Sequence, residues 1–236
     1  GNVNNNATLT FNRSDDISVT NLISGTGALV KNAAGVLTLV AANTYSGGTT
    51  VSDGTLRAGI SSVGSITSGA FGTGTVTVQS GDTLDLNGFN VANALNLSGV
   101  GVSSNGALIN SGTAVSASGA VTIAAATSIG GSGAITMSGA VSASTHVVTI
   151  LNAVGVTAEN TSNSIATVAI TNSALILKTT ASLAVNASSL SGATRLQSVS
   201  ASRDITVSGA ITNNTNANTL TLMASRDIYI NSSISG

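Results

Sequence analysis

The chain has 236 residues, of which 42% are hydrophobic, 2% aromatic and 6% charged. Globular domains carry about 25% charged residues, so Ser, Thr, Asn and Gly must supply the polar surface, and these favour turns and short strands over solvated helix faces. Seven basic and eight acidic residues leave a net charge of −1, which excludes the basic footprint that nucleic acid or an anionic membrane demands.

The chain contains neither Cys nor Pro. Without Cys, disulfides and thiolate metal sites are excluded. The abundance of Val, Ile, Leu and Thr excludes a disordered chain. No run of about 18 apolar residues offers a transmembrane helix. The opening stretch, Gly1 to Asn6, has neither the basic nor the apolar region of a secretory signal.

In chain order, the polar start leads into the strand-like Thr8-Leu9-Thr10-Phe11, and Asp15-Asp16 then reads as turn chemistry. Beyond it, apolar residues recur at spacing two in short bursts: Leu37-Thr38-Leu39, Val76-Thr77-Val78, Leu84-Asp85-Leu86 and Leu95-Asn96-Leu97. The pattern continues in Val121-Thr122-Ile123, Ile135-Thr136-Met137, Leu183-Ala184-Val185 and Leu220-Thr221-Leu222. Gly47-Gly48 and Gly130-Gly131 punctuate these strands. No stretch has helical periodicity. The chain is all-β.

Internal repetition selects among all-β architectures. Ser202-Arg203-Asp204-Ile205-Thr206-Val207 returns as Ser225-Arg226-Asp227-Ile228-Tyr229-Ile230, a shift of 225 − 202 = 23. At that shift Val199, Ala201, Ile205, Val207 and Ile211 fall on Leu222, Ala224, Ile228, Ile230 and Ile234. At a shift of 22, Leu177, Leu183 and Val185 fall on Val199, Ile205 and Val207. Ser118-Gly119-Ala120-Val121 is echoed by Ser138-Gly139-Ala140-Val141 at a shift of 20. Units of 20–23 residues with two or three short strands predict the coils of a single-stranded parallel β-helix, one continuous solenoid over residues 1–236. Ten or eleven coils, stacked about 4.8 Å apart, make a rod of roughly 50 Å.

Residues 35–59 carry Gly35-x-Leu37-Thr38-Leu39, then Asn43-Thr44-Tyr45-Ser46-Gly47-Gly48-Thr49-Thr50, then Gly54-Thr55-Leu56. This pattern, placed within 28–59, resembles the autotransporter-associated β-strand repeat of bacterial passenger domains. The two Ser-Arg-Asp-Ile coils, within 193–236, are similar to filamentous-haemagglutinin-like large exoproteins. Both resemblances imply a right-handed β-helix displayed outside the cell, at the bacterial surface. The autotransporter's C-terminal barrel and the haemagglutinin's N-terminal secretion domain are missing from this sequence.

The resemblance leaves room for an enzyme, because polysaccharide lyases and glycosidases also use β-helices. Those chemistries need convergent carboxylates, or acidic metal ligands beside a basic group. Of Asp15, Asp16, Asp53, Asp82, Asp85, Glu159, Asp204 and Asp227, only Asp15/Asp16, Asp82/Asp85 and Asp204/Asp227 can cluster. Asp85, between Leu84 and Leu86, is expected to point out of the core, with Asp82 in the preceding turn. Aromatic platforms for sugars are scarce: Phe11, Tyr45, Phe71, Phe89 and Tyr229 are all there is. Arg203/Asp204 over Arg226/Asp227 reads as a ladder of diagonal ion pairs.

His146 is the only histidine and has no second imidazole or thiolate for zinc. Gly130-Gly131-Ser132-Gly133 lacks the acid of a calcium nonapeptide. Thr-x-Thr at Thr8/Thr10, Thr75/Thr77 and Thr219/Thr221 does not recur at coil spacing, so no ice-binding face is expected. The expectation is therefore no catalytic, metal or cofactor residue.

The reading is a structural, adhesive rod segment of a secreted surface protein. Its expected partners are adjacent coils of a longer parent chain or further copies, and host-cell or surface glycans and proteins. The alternatives are a carbohydrate-active enzyme and a self-assembling filament or sheath subunit. The final Ser233-Ile234-Ser235-Gly236 is still in repeat register without a cap, which predicts continuation by further coils or another copy.

Overall fold

The computed structural model describes residues 1–63, 65–213 and 218–235. Part of the expected 193–236 segment, including Gly236 of the final coil, lies outside the described residues.

The short in-out-in strands stack as a solenoid of about 11 turns. On the first face, Leu9, Leu29, Thr49, Val76, Leu95, Val121 and Val141 follow one another as direct parallel partners. On the second, the column runs Ile17, Leu37, Leu56, Leu84, Leu108, Ile129, Ile150 and Ile170. A third face carries Ala158, Leu177, Leu196 and Leu222 in one column. Side chains alternate across a strand, so these residues converge on one continuous core while their neighbours face out. Strands such as Ala28–Leu39 and Thr49–Ala58 run through the corner between the first two faces, with register shifts there.

The outward positions explain how a chain so poor in charge covers itself. Thr10, Val30, Thr50, Thr77, Asn96, Thr122, Ser142 and Ser164 form one outward column. Apart from Val30, every member offers a hydroxyl or an amide. Among the described residues the regular helical element is a single 3-10 turn, Val102–Ser104, and no helix is long and apolar enough to cross a membrane.

Most of the repeat register is as expected. Leu183 and Val185 pair with Ile205 and Val207, which pair in turn with Ile228 and Ile230, and Ile211 pairs with Ile234. Val121 pairs with Val141 at the 20-residue shift.

One column departs from it. The 23-residue echo places Val199 against Leu222, but the partner of both Leu177 and Leu222 is Leu196. Six positions separate Leu177 from Leu183 (183 − 177), and six separate Leu222 from Ile228 (228 − 222). Nine separate Leu196 from Ile205 (205 − 196). The three extra residues are taken up in an exposed turn around Ala201 and Ser202, the latter at φ 58°. Ala201 is thus a turn residue and does not stack on Ala224. Turns absorb insertions because they run over the surface, whereas a shifted column would turn its apolar side chains outward.

Candidate functional site

The repeat-bearing coils hold polar side chains at inward positions. The Asn43 carboxamide accepts the Ile23 N–H at 2.8 Å and donates to the Ala70 carbonyl at 2.7 Å, linking three consecutive coils. Tyr45 is fully buried, and its hydroxyl lies 2.6 Å from Thr49 Oγ1. Thr49 Oγ1 donates to the Phe71 carbonyl at 3.2 Å, so Tyr45 must be the donor in the shorter bond. Thr49 occupies an inward slot between Leu29 and Val76. Its hydroxyl is the acceptor that lets a tyrosine enter the core without an orphaned O–H. Burial raises the Tyr45 hydroxyl above its ordinary range.

Glycine makes room for the ring. A Cβ on Gly72, at φ +65°, would sit 2.4 Å from the Tyr45 carbonyl oxygen and 2.9 Å from its ring. A Cβ on Gly47 would meet the Gly27 backbone at 2.6 Å. The Asn-Thr-Tyr-Ser-Gly-Gly-Thr-Thr run therefore encodes a corner with a filled interior and closely approaching backbones.

Lys31 was not among the expected site residues. It lies in the inward column between Phe11 and Val51 and is only 2% exposed. Its ammonium donates to the Ala33 carbonyl and, at 2.8 Å, to that of Asp53. Burial lowers its pKa against the opposing charges of Asp53, Asp82 and Asp16. The alternation Leu29 in, Val30 out, Lys31 in is the sequence signal for it.

Asp85 points out of the core as expected and is nonetheless buried. It stands in the outward column above Arg57, yet its side chain is 0% exposed. Arg57 Nε donates to it at 2.9 Å, Ser111 Oγ at 2.7 Å, and the Asn87 and Ser111 backbone N–H groups at 2.9 and 3.1 Å. Neighbouring coils roof it over, and a fully hydrogen-bonded, ion-paired carboxylate tolerates that burial.

Most of the remaining candidates are held by ion pairs or by backbone hydrogen bonds. Asp15 holds Arg13 at a bend, and Asp16 accepts the Val36 N–H of the next coil at 2.8 Å. The Arg203/Asp204/Arg226/Asp227 group forms the diagonal contact, Arg226 Nε to Asp204 at 2.7 Å, with Asp227 at 3.6 Å. Sequence reasoning missed a further cluster, in which Glu159 accepts from Arg195 and lies 3.6 Å from Lys178. Arginine hydrogen bonds hold Asp15, Glu159 and Asp204 below the usual carboxylate range.

Asp82 and Asp85 do not work together. Asp85 is committed to Arg57 and Ser111, while Asp82 faces the corner of Lys31 and Asp53. A surface depression of about 350 Å³ is lined by Ser46, Gly47, Gly48, Thr49, Thr50, Thr75 and Thr77, with no acid or base. His146 is half-buried beside Val147. Among the described residues no group of three or more His, Asp or Glu is placed to hold a metal ion.

Comparison with known proteins adds a family to this geometry. No solved structure matches. A segment of 93 residues is 41% identical to an adhesin, the BmaC autotransporter of Brucella suis biovar 1 (strain 1330). The match covers 39% of this chain and 2% of that protein, so the chain spans a small fraction of its relative. Residues 29–58 match the family described as Passenger-associated-transport-repeat. That segment contains Lys31, Asn43, Tyr45 and Thr49, the inward polar residues of the corner. The family match and the likeness together support an autotransporter passenger repeat in this chain.

Proposed function

We propose that this chain is a structural and adhesive segment of a bacterial surface protein, a rod that works outside the cell without catalysing a reaction. The observation that carries the reading is the union of a passenger repeat with a parallel stack that runs through the described residues. Such a stack is held laterally by a backbone hydrogen bond at nearly every position, which suits a load-bearing spacer. Its outward columns of hydroxyls and amides offer neutral, hydrogen-bonding contact to glycans and protein surfaces. Against an enzyme stand the commitment of Asp85 to Arg57 and Ser111, which leaves Asp82 without a partner carboxylate there, and the uncharged lining of the depression at Ser46–Thr50.

Microbeads coated with the chain, applied to cultured mammalian cell layers, test the proposal. Retention severalfold above albumin-coated beads is expected, together with no hydrolytic or eliminative products from a broad panel of polysaccharides. Polysaccharide cleavage that disappears in Asp82→Asn or Asp85→Asn would replace the rod with an enzyme.

A further inference from the structure

The corner between the first two faces gathers charge in four consecutive coils: Asp15 and Asp16, then Lys31, Asp53 and Asp82. All but one of these groups are engaged or solvated. Asp15 pairs with Arg13, Asp16 accepts the Val36 N–H, the Lys31 ammonium is spent on two carbonyls, and Asp53 is exposed. Asp82 is different. It is 6% exposed and, among the described residues, forms no ion pair. The corner of the following coil, Gly99 to Gly106, contains no ionisable side chain.

We propose that this corner is a proton-operated latch, in which Asp82 takes up a proton in mildly acidic surroundings and so tightens the coils of Lys31, Asp53 and Asp82 against one another. A buried carboxylate without a cation is costly in its charged form. Burial and then the neighbouring Asp53 charge push Asp82 from 3.8 up to about 6, and the Gly54 N–H and Lys31 only partly oppose them. Because the folded value lies above the unfolded one, the folded chain binds the extra proton. This contribution to stability is complete below 3.8, is lost as pH rises through about 6, and is level above that. Asp15, Glu159 and Asp204, held low by arginines, act in the opposite sense and at lower pH. The latch is independent of what the rod adheres to.

Hydrogen exchange of the intact 236-residue chain tests it, read at the Thr55, Leu56 and Leu84 amides and corrected for intrinsic rates. Protection is expected to fall about tenfold between about pH 5 and about pH 7.5, as a carboxyl titrating near 6 requires. Asp82→Asn removes that dependence and at the higher pH is protected at least as well as the unaltered chain. Asp53→Asn moves the midpoint to lower pH, and it decides the matter if the first variant does not fold. A flat profile in the unaltered chain, or an unchanged one in Asp82→Asn, overturns the latch. So does calcium chloride restoring protection at neutral pH, which would make the corner a cation site.

Discussion

The coils up to Asn110 and the coils from Leu183 onward have the same backbone and different means of keeping it in register. In the earlier coils, side chains inside the stack bind the backbones of neighbouring coils. Asn43 links Ile23 to Ala70, Lys31 reaches Asp53, and Tyr45 reaches Phe71 through Thr49. Asn110 accepts from the Gly88 and Gly112 N–H groups and donates to the Thr113 and Ala134 carbonyls. The later coils rest on aliphatic columns, Leu183 on Ile205 on Ile228, with small hydroxyls such as Ser188 and Ser198 between them. Their ion pair, Arg226 to Asp204, lies on the surface. A directional hydrogen bond fixes one partner, whereas an aliphatic column accepts any apolar residue of suitable volume. The earlier coils are therefore specified more by long polar side chains, and the later ones more by aliphatic columns with short hydroxyl links such as Ser188 to Ile170 and Ser198 to Ala181.

The largest effect that probes this difference comes from Ile205→Asp. Ile205 is fully buried between Leu183 and Ile228, so an unpaired carboxylate would enter a dry column. Destabilisation of more than about 4 kcal/mol is expected for the coils it touches. Nearest-neighbour coupling in a solenoid confines the damage. Hydrogen exchange is expected to show lost protection from Leu183 onward while Leu29 to Ala58 keeps its own. Uniform loss along the chain would mean that the two regions are one cooperative unit.

A smaller effect is expected from Asn110→Ala, which removes four hydrogen bonds from a fully buried side chain to the backbone. Denaturant unfolding is expected to register a loss of roughly 3 kcal/mol. A cost near zero would place the register of the earlier coils in their aliphatic columns as well, and the contrast would fail.

The same contrast explains what the sequence revealed. Strand periodicity made the fold class legible, and the Asn43-to-Thr50 motif located the repeat, because Asn43, Tyr45, Gly47 and Thr49 each have a distinct structural duty. In the later coils the Ser-Arg-Asp-Ile echo correctly paired Ile205 with Ile228, but it carried Val199 onto Leu222. Nothing in an aliphatic pattern marks three residues added to a turn. Asp85 lies on the outward side that alternation indicates, but its burial was not legible, since alternation reports direction and not what a neighbouring coil lays on top. Lys31 was overlooked because a lysine in an in-out pattern reads as a surface residue until its amine is seen to reach corner carbonyls. Glu159, Lys178 and Arg195 meet only through the third face, which no local spacing discloses.

The central claim, a continuous parallel stack in this register, is most directly tested by paired cysteines, since the native chain has none to interfere. Adjacent parallel strands lie about 4.8 Å apart, within disulfide reach. Cysteines replacing Thr50 and Thr77, Thr122 and Ser142, Thr206 and Tyr229, or Gln197 and Met223 occupy direct partners. All four pairs are expected to oxidise readily within one chain, with the β-sheet circular dichroism unchanged. Crosslinking of Ser200 with Met223 in place of Gln197 with Met223, or failure of the three other pairs, would contradict the stack described here.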